Sequence, residues 1–321
     1  MSVDVESIAP TVLIAQAQVR RTQRISPAFV RVTLESPAFE DLGIDGFDTR
    51  FKMVFPGPTG QLPAIPEQPE QWYEQWMNMP EATRSPMRTY TVRDVLHEDG
   101  ARVLVVDLVI HEHGPHGPAC LWALTAKPGD VLQVIAPHRA SQEYGGTEFD
   151  PGQRSNLLLI ADETAVPAVA RILADLGDEY TGHVFLEVPS AVDMLELDAP
   201  STFNVTWLVR GGADHGRRLV HEVRRHLGLG PLDPNSRPPE APSDLDIDVW
   251  ETPHYSSSGE DLQPHLQDPH HGAAPHDLYA WIAGESWMVK TLRRSLVTEL
   301  HVDRTQVAFM GYWREGVAMR T

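Results

Sequence analysis

The sequence has one cysteine in 321 residues. No intramolecular disulfide can form, and a reducing compartment is expected. There is no C-x-x-C pair or Cys/His ligand set, which excludes a protein-held iron–sulfur cluster. No apolar run approaches the ~20 residues that a membrane span needs. The first ten residues, MSVDVESIAP, show no basic segment followed by an apolar one, so no signal peptide is expected. Basic residues are scarce: 26 Lys and Arg stand against 45 Asp and Glu, for a formal charge of -19. A surface this acidic repels nucleic acid, which binds through basic patches and counterion release. The dinucleotide fingerprint G-x-G-x-x-G is also missing. These absences leave a soluble, cytoplasmic, globular protein, long enough for two domains, and a monomer is expected.

What is present centres on Met87-Arg88-Thr89-Tyr90-Thr91-Val92-Arg93. The stretch alternates like a strand, so Arg88 and Tyr90 share one face and Thr89 and Thr91 the other. A planar guanidinium suits phosphate oxygens. An aromatic ring can lie flat on another ring, and a hydroxyl can bond a ring nitrogen. Such groups suit a flavin with a diphosphate tail. The same residues also read as a surface strand with ordinary cross-strand pairs.

After an apolar run at 103–110 comes HEHGPHGPACLW, residues 111–122. A Gly-rich turn feeding a helix exposes backbone N–H groups that bind phosphate. Gly114 and Gly117 precede the helix-like segment 119–125. His111, His113 and His116 raise a metal reading, but no carboxylate or thiol at ligand spacing supports it. No metal site is assigned.

Strand patterns fall at 12–20, 29–35, 50–56, 87–93, 103–110 and 131–136. Six strands and a short helix predict a small six-stranded antiparallel Greek-key barrel over 12–141. Residues 57–86 read as a long loop with one helical turn at 68–76, where Trp72 and Trp76 share a face. From 155 to 321 the period changes. Strands at 156–161, 183–188, 202–210, 279–284 and 306–312 alternate with helices at 165–176, 216–227 and 286–300. That alternation predicts a five-stranded parallel sheet, with ligands beyond its C-terminal strand ends. Thr164 is expected as a helix N-cap, and Asp162 and Glu163 as helix-dipole partners unfriendly to phosphate. Residues 230–276 are rich in Pro and acids and read as a flexible insertion, with one edge strand possible at 246–250.

RTYTVR at 88–93, HGPACLWA at 116–123, KPGD at 127–130, ADETAVPAVARIL at 161–173, AGES at 283–286 and GYWREG at 311–316 occur in that order. On these motifs the chain resembles the siderophore-interacting, ferric-siderophore reductase family of ferredoxin-reductase-like flavoproteins, from about residue 12 to 317. The resemblance implies an FAD-binding barrel followed by an NAD(P)H-binding-like α/β domain. It implies FAD contacts from Arg88, Thr89, Tyr90, Thr91, Asp107, Val109, His111, Gly114, Gly117, Pro118, Ala119 and Cys120. From the second domain it implies Thr164, Ala165, Tyr312 and Trp313. The family often has Ser where Cys120 stands, and a thiol is a weaker donor. The diphosphate contact there would then come from the backbone.

The implied activity is reduction of ferric siderophore to ferrous iron, with NADH, NADPH or a ferredoxin as donor. Such chemistry needs no general acid, base or nucleophile, so no catalytic side chain is assigned. Lys52, Lys290 and Arg314 are the candidate cations for an anionic siderophore. Two other readings remain: a general flavin reductase, and a siderophore-binding module that never holds flavin.

Overall fold

The computed structural model describes residues 11–44, 46–66, 69–110, 117–141, 146–232, 250–253, 255–256 and 277–317. The chain divides into two compact units, the first ending at Thr147 and the second beginning at Glu148.

The first unit holds strands β1 (Val12–Arg24), β2 (Phe29–Glu35), β3 (Arg50–Val54), β4 (Met87–Thr91), β5 (Asp94–Glu98), β6 (Ala101–Val109) and β7 (Val131–Pro137). It also holds helices α1 (Trp72–Met77) and α2 (Pro118–Thr125). The strands form one antiparallel sheet in the order β4-β3-β7-β1-β2-β6-β5. It is an open half-barrel of seven strands, where a six-stranded Greek-key barrel was expected. The extra strand is β5, which turns into β6 at Asp99 and Gly100. Both residues have positive φ, 51° and 79°. Asp-Gly is the usual pair for a two-residue hairpin turn, so this signal was present in the sequence. Alternating side chains of β1, β2, β3, β6 and β7 fill the interior, among them Val19, Leu34, Phe51, Met53, Leu104, Leu108 and Leu132. In the expected loop 57–86, Trp76 of α1 is buried and donates its indole N–H to the Ser85 carbonyl at 3.0 Å.

The second unit carries β8 (Asn156–Ala161), α3 (Val166–Asp175), β9 (Thr181–Val188), β10 (Phe203–Val209) and α4 (Arg217–His226). It continues with β11 (Trp250–Thr252), β12 (Tyr255–Ser256), β13 (Leu278–Glu285), α5 (Ser286–Arg293) and β14 (Val307–Trp313). The order is β10-β9-β8-β13-β14-β11-β12. The first five strands of that order are parallel, as the alternation of strands and helices dictates. β11 then joins β14 antiparallel, and β12 joins β11. The sheet is therefore mixed and seven-stranded, not a five-stranded parallel one.

The two added strands come from the stretch expected as a flexible insertion. β11 is held by specific contacts. Trp250 stacks on Tyr312 with ring centroids 6.1 Å apart, and Arg293 bonds Glu251 at 2.7 Å. Residues 233–249 and 257–276 lie outside the described residues. The helix expected at 286–300 is α only to Arg293 and continues as a π-helical turn, Arg294–Glu299.

Candidate functional site

In the first unit, β3 and β4 pair with Phe51 opposite Tyr90, Lys52 opposite Thr89, and Met53 opposite Arg88. Directly opposed residues share a face. Phe51 and Met53 are fully buried, so Arg88 and Tyr90 lie on the inward face. Lys52 and Thr89 lie on the outward one, where Lys52 Nζ donates to Thr89 Oγ1 at 3.0 Å. Burial, with a smaller push from Arg50, lowers the Lys52 pKa. Burial also lowers that of Arg88, whose Nη1 donates to the Met87 carbonyl at 2.7 Å. Tyr90 packs against the core, and burial drives its phenol far up, so it stays neutral. Its charge environment includes Arg88, which opposes that shift, and Cys120, which adds to it. Arg88, Tyr90 and Cys120 thus share one neighbourhood, which joins β4 to α2.

The start of α2 has features that suit an anion. Gly117 caps it with no side-chain hydrogen bond, and Pro118 occupies the first turn, where a missing N–H costs nothing. A helix end of this kind offers backbone N–H groups and the positive end of its dipole. Ala119 and Cys120 are buried in the core of the first unit. A cation, a ring and a helix start whose cap residue, Gly117, makes no side-chain hydrogen bond are groups that could hold the diphosphate and ring of a flavin nucleotide.

Asp107 has a different environment. Its fully buried carboxylate accepts both Nε and Nη2 of Arg31 at 2.7 Å, with Arg93 Nε 3.7 Å away. That bidentate pair resolves the cost of an acid inside an apolar strand. Val109 is half-buried at the end of β6 and Thr91 is buried at the end of β4. His111 and Gly114 lie outside the described residues.

In the second unit the strand tips are occupied by carboxylates. Asp162 follows β8 and is 1% exposed. Its Oδ1 accepts Thr164 N at 2.9 Å and Thr164 Oγ1 at 2.5 Å. Its Oδ2 accepts Glu285 N at 2.7 Å and Trp313 Nε1 at 2.9 Å. Gly284 makes this reach possible, since a Cβ there would come within 2.6 Å of the Asp162 carboxyl. Despite four donors, burial and then the neighbouring Glu163 push the Asp162 pKa up to about 7.

Glu163 is not a helix-dipole partner. It takes a bidentate pair from Arg210 at 2.7 and 2.8 Å, and Glu187 approaches the same guanidinium at 3.4 Å. His215 Nδ1 lies 3.9 Å from Glu163, and its ring meets Trp313 edge-on at 4.8 Å. Thr164 is likewise not the helix cap. Ala165 holds that position, and the Thr164 hydroxyl is spent on Asp162. Trp313 is fixed on two sides, by Asp162 and His215. Lys290 is half-buried on α5, and Arg314 is exposed after β14. Glu187 and His215 were not foreseen. The only sequence signal for Glu187 is an acid inside the apolar strand HVFLEV.

The sequence model described as "Siderophore-interacting protein" matches residues 154–316, and "Siderophore-interacting FAD-binding domain" matches residues 18–141. An uncharacterized protein of Mycobacterium tuberculosis is 33% identical over 198 residues, 61% of this chain and 65% of that relative's own length. The NADPH-dependent ferric-chelate reductase of Escherichia coli is 26% identical over 303 residues, covering 92% of this chain and 91% of that one. The ferric vibriobactin reductase ViuB of Vibrio cholerae is 26% identical over 321 residues, covering 98% and 93%. Among solved structures, a siderophore utilization protein from T. fusca superposes with a TM-score of 0.66 at 28% identity, covering 96% of this chain and 95% of that one. A ferredoxin NADP+ reductase from Neisseria gonorrhoeae gives 0.53 at 11% identity, covering 94% and 99%, which shows a ferredoxin-reductase-like fold and nothing more.

Proposed function

This chain belongs to the siderophore-interacting protein family, and we propose that it is an FAD-dependent ferric-siderophore reductase using NADPH or NADH as donor. The observation that carries the proposal is the R-T-Y-T strand, Arg88 to Thr91, in one neighbourhood with a helix start that has no side-chain cap. Ferric iron held by hard oxygen ligands is released when reduced to the ferrous state. Bound FAD would supply the coupling, since a flavin takes two electrons from a nicotinamide and passes them on singly.

The chain's own residues bind and orient. Arg88 would hold the diphosphate, its desolvated guanidinium suited to a charge-assisted bond. The amides at the start of α2 would share the diphosphate, and the Cys120 side chain, buried in the core, leaves that task to the backbone. Tyr90, neutral at any working pH, offers a ring, and Thr91 a hydroxyl. Val109 is kept as a flavin contact, while Asp107 acts at one remove by fixing Arg31 and Arg93. Thr164, Ala165, Tyr312 and Trp313 are assigned to the flavin from the second unit, on the strength of their positions after β8 and at the end of β14. Lys52, Lys290 and Arg314 are assigned to the anionic chelate. No proton transfer is needed, so no side chain is given a catalytic role. A ferredoxin is a second possible donor. Deployment in the cytoplasm as a monomer accords with a single cysteine buried in its unit.

The test is the visible spectrum of the purified protein, followed by addition of NADPH or NADH and then a ferric siderophore with a ferrous trap. A yellow protein that bleaches, then recovers as ferrous iron appears, is the expected result. A colourless protein that cannot be loaded with FAD sinks the proposal.

A further inference from the structure

Helix α4 packs on β9 through three successive layers, because both elements carry their inward residues in period. On β9, which contains HVFLEV at 183–188, His183, Phe185 and Glu187 alternate onto one face. On α4, Leu219, Val220, Val223 and His226 fall at the three- and four-residue spacing of one face. At the strand-tip end, carboxylates serve the helix starts. Glu187 accepts Gly216 N of α4 at 2.9 Å, as Glu285 accepts Trp287 N and Met288 N of α5 at 2.6 and 3.2 Å. In the middle layer Phe185 shares a buried cluster with Leu219, Val220 and Val223.

The third layer, at the start of β9 and the end of α4, is a pair of histidines. The rings of His183 and His226 have their centres 4.2 Å apart and their planes tilted by 52°. Phe185 backs both, 6.5 Å from the His183 ring and 5.2 Å from the His226 ring. His226 is exposed and His183 half-buried, so the pair opens to solvent. Among the described residues no hydrogen bond or ion pair engages either ring. The pair lies at the opposite end of the strand from Glu187, away from the tips where Asp162 and Trp313 gather.

Three features suit this pair to a cation. Burial lowers the His226 pKa from its ordinary 6.5, and His183 and then Arg225 lower it further, so this imidazole is neutral at pH 7 and can ligate. The Arg225 charge is itself engaged by Glu222 at 2.8 Å. His226 is the last residue of α4, at the negative end of the helix dipole, where positive charge is favoured. The spacing also fits. Two imidazoles that bind one ion at about 2.0–2.1 Å, at near right angles about it, place their ring centres roughly 4–5 Å apart.

We propose that His183 and His226 form a two-imidazole site for a divalent first-row transition cation of the zinc class, its remaining positions filled by water. Imidazole nitrogen suits such ions. The bound ion would clip the start of β9 to the end of α4, closing the layer that has no apolar contact of its own.

The test is calorimetric titration of the metal-stripped full-length protein with Zn²⁺, for wild type, H183Q, H226Q and the double variant. Glutamine keeps a polar side chain of similar reach, and urea midpoints in EDTA report on folding. His226 is exposed, so H226Q tests the site without disturbing the core. The histidines within 254–276 are common to all four proteins, so their binding cancels in the comparison. Each single variant should lose the tightest site or bind Zn²⁺ there at least about tenfold more weakly. The double variant should lose no more than either single one, because the chelate needs both rings. Zn²⁺ should also raise the Tm of the wild type, and by less in every variant. No binding by the wild type, or binding by either single variant equal to that of the wild type, overturns the proposal. So does a double variant whose loss is the sum of the two single losses, since that describes two separate ligands.

Discussion

Trp313 donates its indole N–H to Asp162 Oδ2 at 2.9 Å, tying the last strand of the second unit to the tip of its first. The same oxygen accepts Glu285 N, so one carboxylate joins the ends of β8, β13 and β14. Any change in its charge is felt at all three.

That dependence gives a pH signature. Burial, then Glu163, raises Asp162 from an ordinary 3.8 to about 7. The folded chain therefore binds more protons than the unfolded one between those values. The contribution to stability is fully present below about pH 4 and is lost as pH rises through 7. Urea unfolding of wild type and Asp162→Asn across this window should show a stability difference that moves steadily against the wild type as pH rises. A difference that does not change with pH would contradict the assignment.

The Arg210 pair should behave as a buried one. Removing the cation by Arg210→Met leaves Glu163 and Glu187 facing each other without it, and should cost about 3–5 kcal/mol. The double variant E163Q/R210M should recover part of that loss, because one of the stranded charges is gone. Chemical denaturation measures both. A single variant within 1 kcal/mol of wild type, on the order of a surface pair, would show that the pair is solvated.

Arg88→Ala should weaken FAD binding by roughly tenfold to a hundredfold, the range for a charged hydrogen bond. Flavin fluorescence titration of the apoprotein reads this directly. Unchanged affinity would mean that the diphosphate is held elsewhere.

Lys52 should impose an alkaline limit on anionic chelates. Burial, aided by Arg50, lowers its pKa from the ordinary 10.5, so it loses its charge earlier than a surface lysine. The kcat/KM for an anionic ferric chelate should fall as pH rises toward that value, and Lys52→Arg should remove the fall. A neutral chelate should show none. The same fall with both chelates would exclude Lys52 from the substrate site.

Much of this was legible in the sequence where a side-chain period was strong. β2 and β8 fall on the residues the alternation and the apolar run mark out, 29–35 and 156–161. β5 was missed because its hydrophobic pattern is weak, although Asp99 and Gly100 carried the turn. β11 was hidden by its setting: three residues amid prolines and acids show no period, and long-range contacts give it a place, Trp250 packing on Tyr312 and donating to Glu148, and Glu251 reaching Arg293. At the site, R-T-Y-T announced the first unit's cluster through residue type alone. The carboxylate caps of α4 and α5 could not be read that way. Glu187 is 29 positions from the amide of Gly216 that it accepts, and only the fold brings them together.

β11 and β12 also change what the sheet shows to other molecules. Without them β14, VAFMGYW, would be the open edge of the sheet, its backbone donors and acceptors unpaired along an apolar strand. Exposed edges of that kind template pairing with a second chain. Antiparallel β11 covers Phe309 and Met310, and among the described residues the edge on that side is the two-residue β12. A stretch that contributes so few residues to the sheet thus acts against self-association. Its removal should be seen first as loss of solubility during refolding and only afterwards as a change in activity.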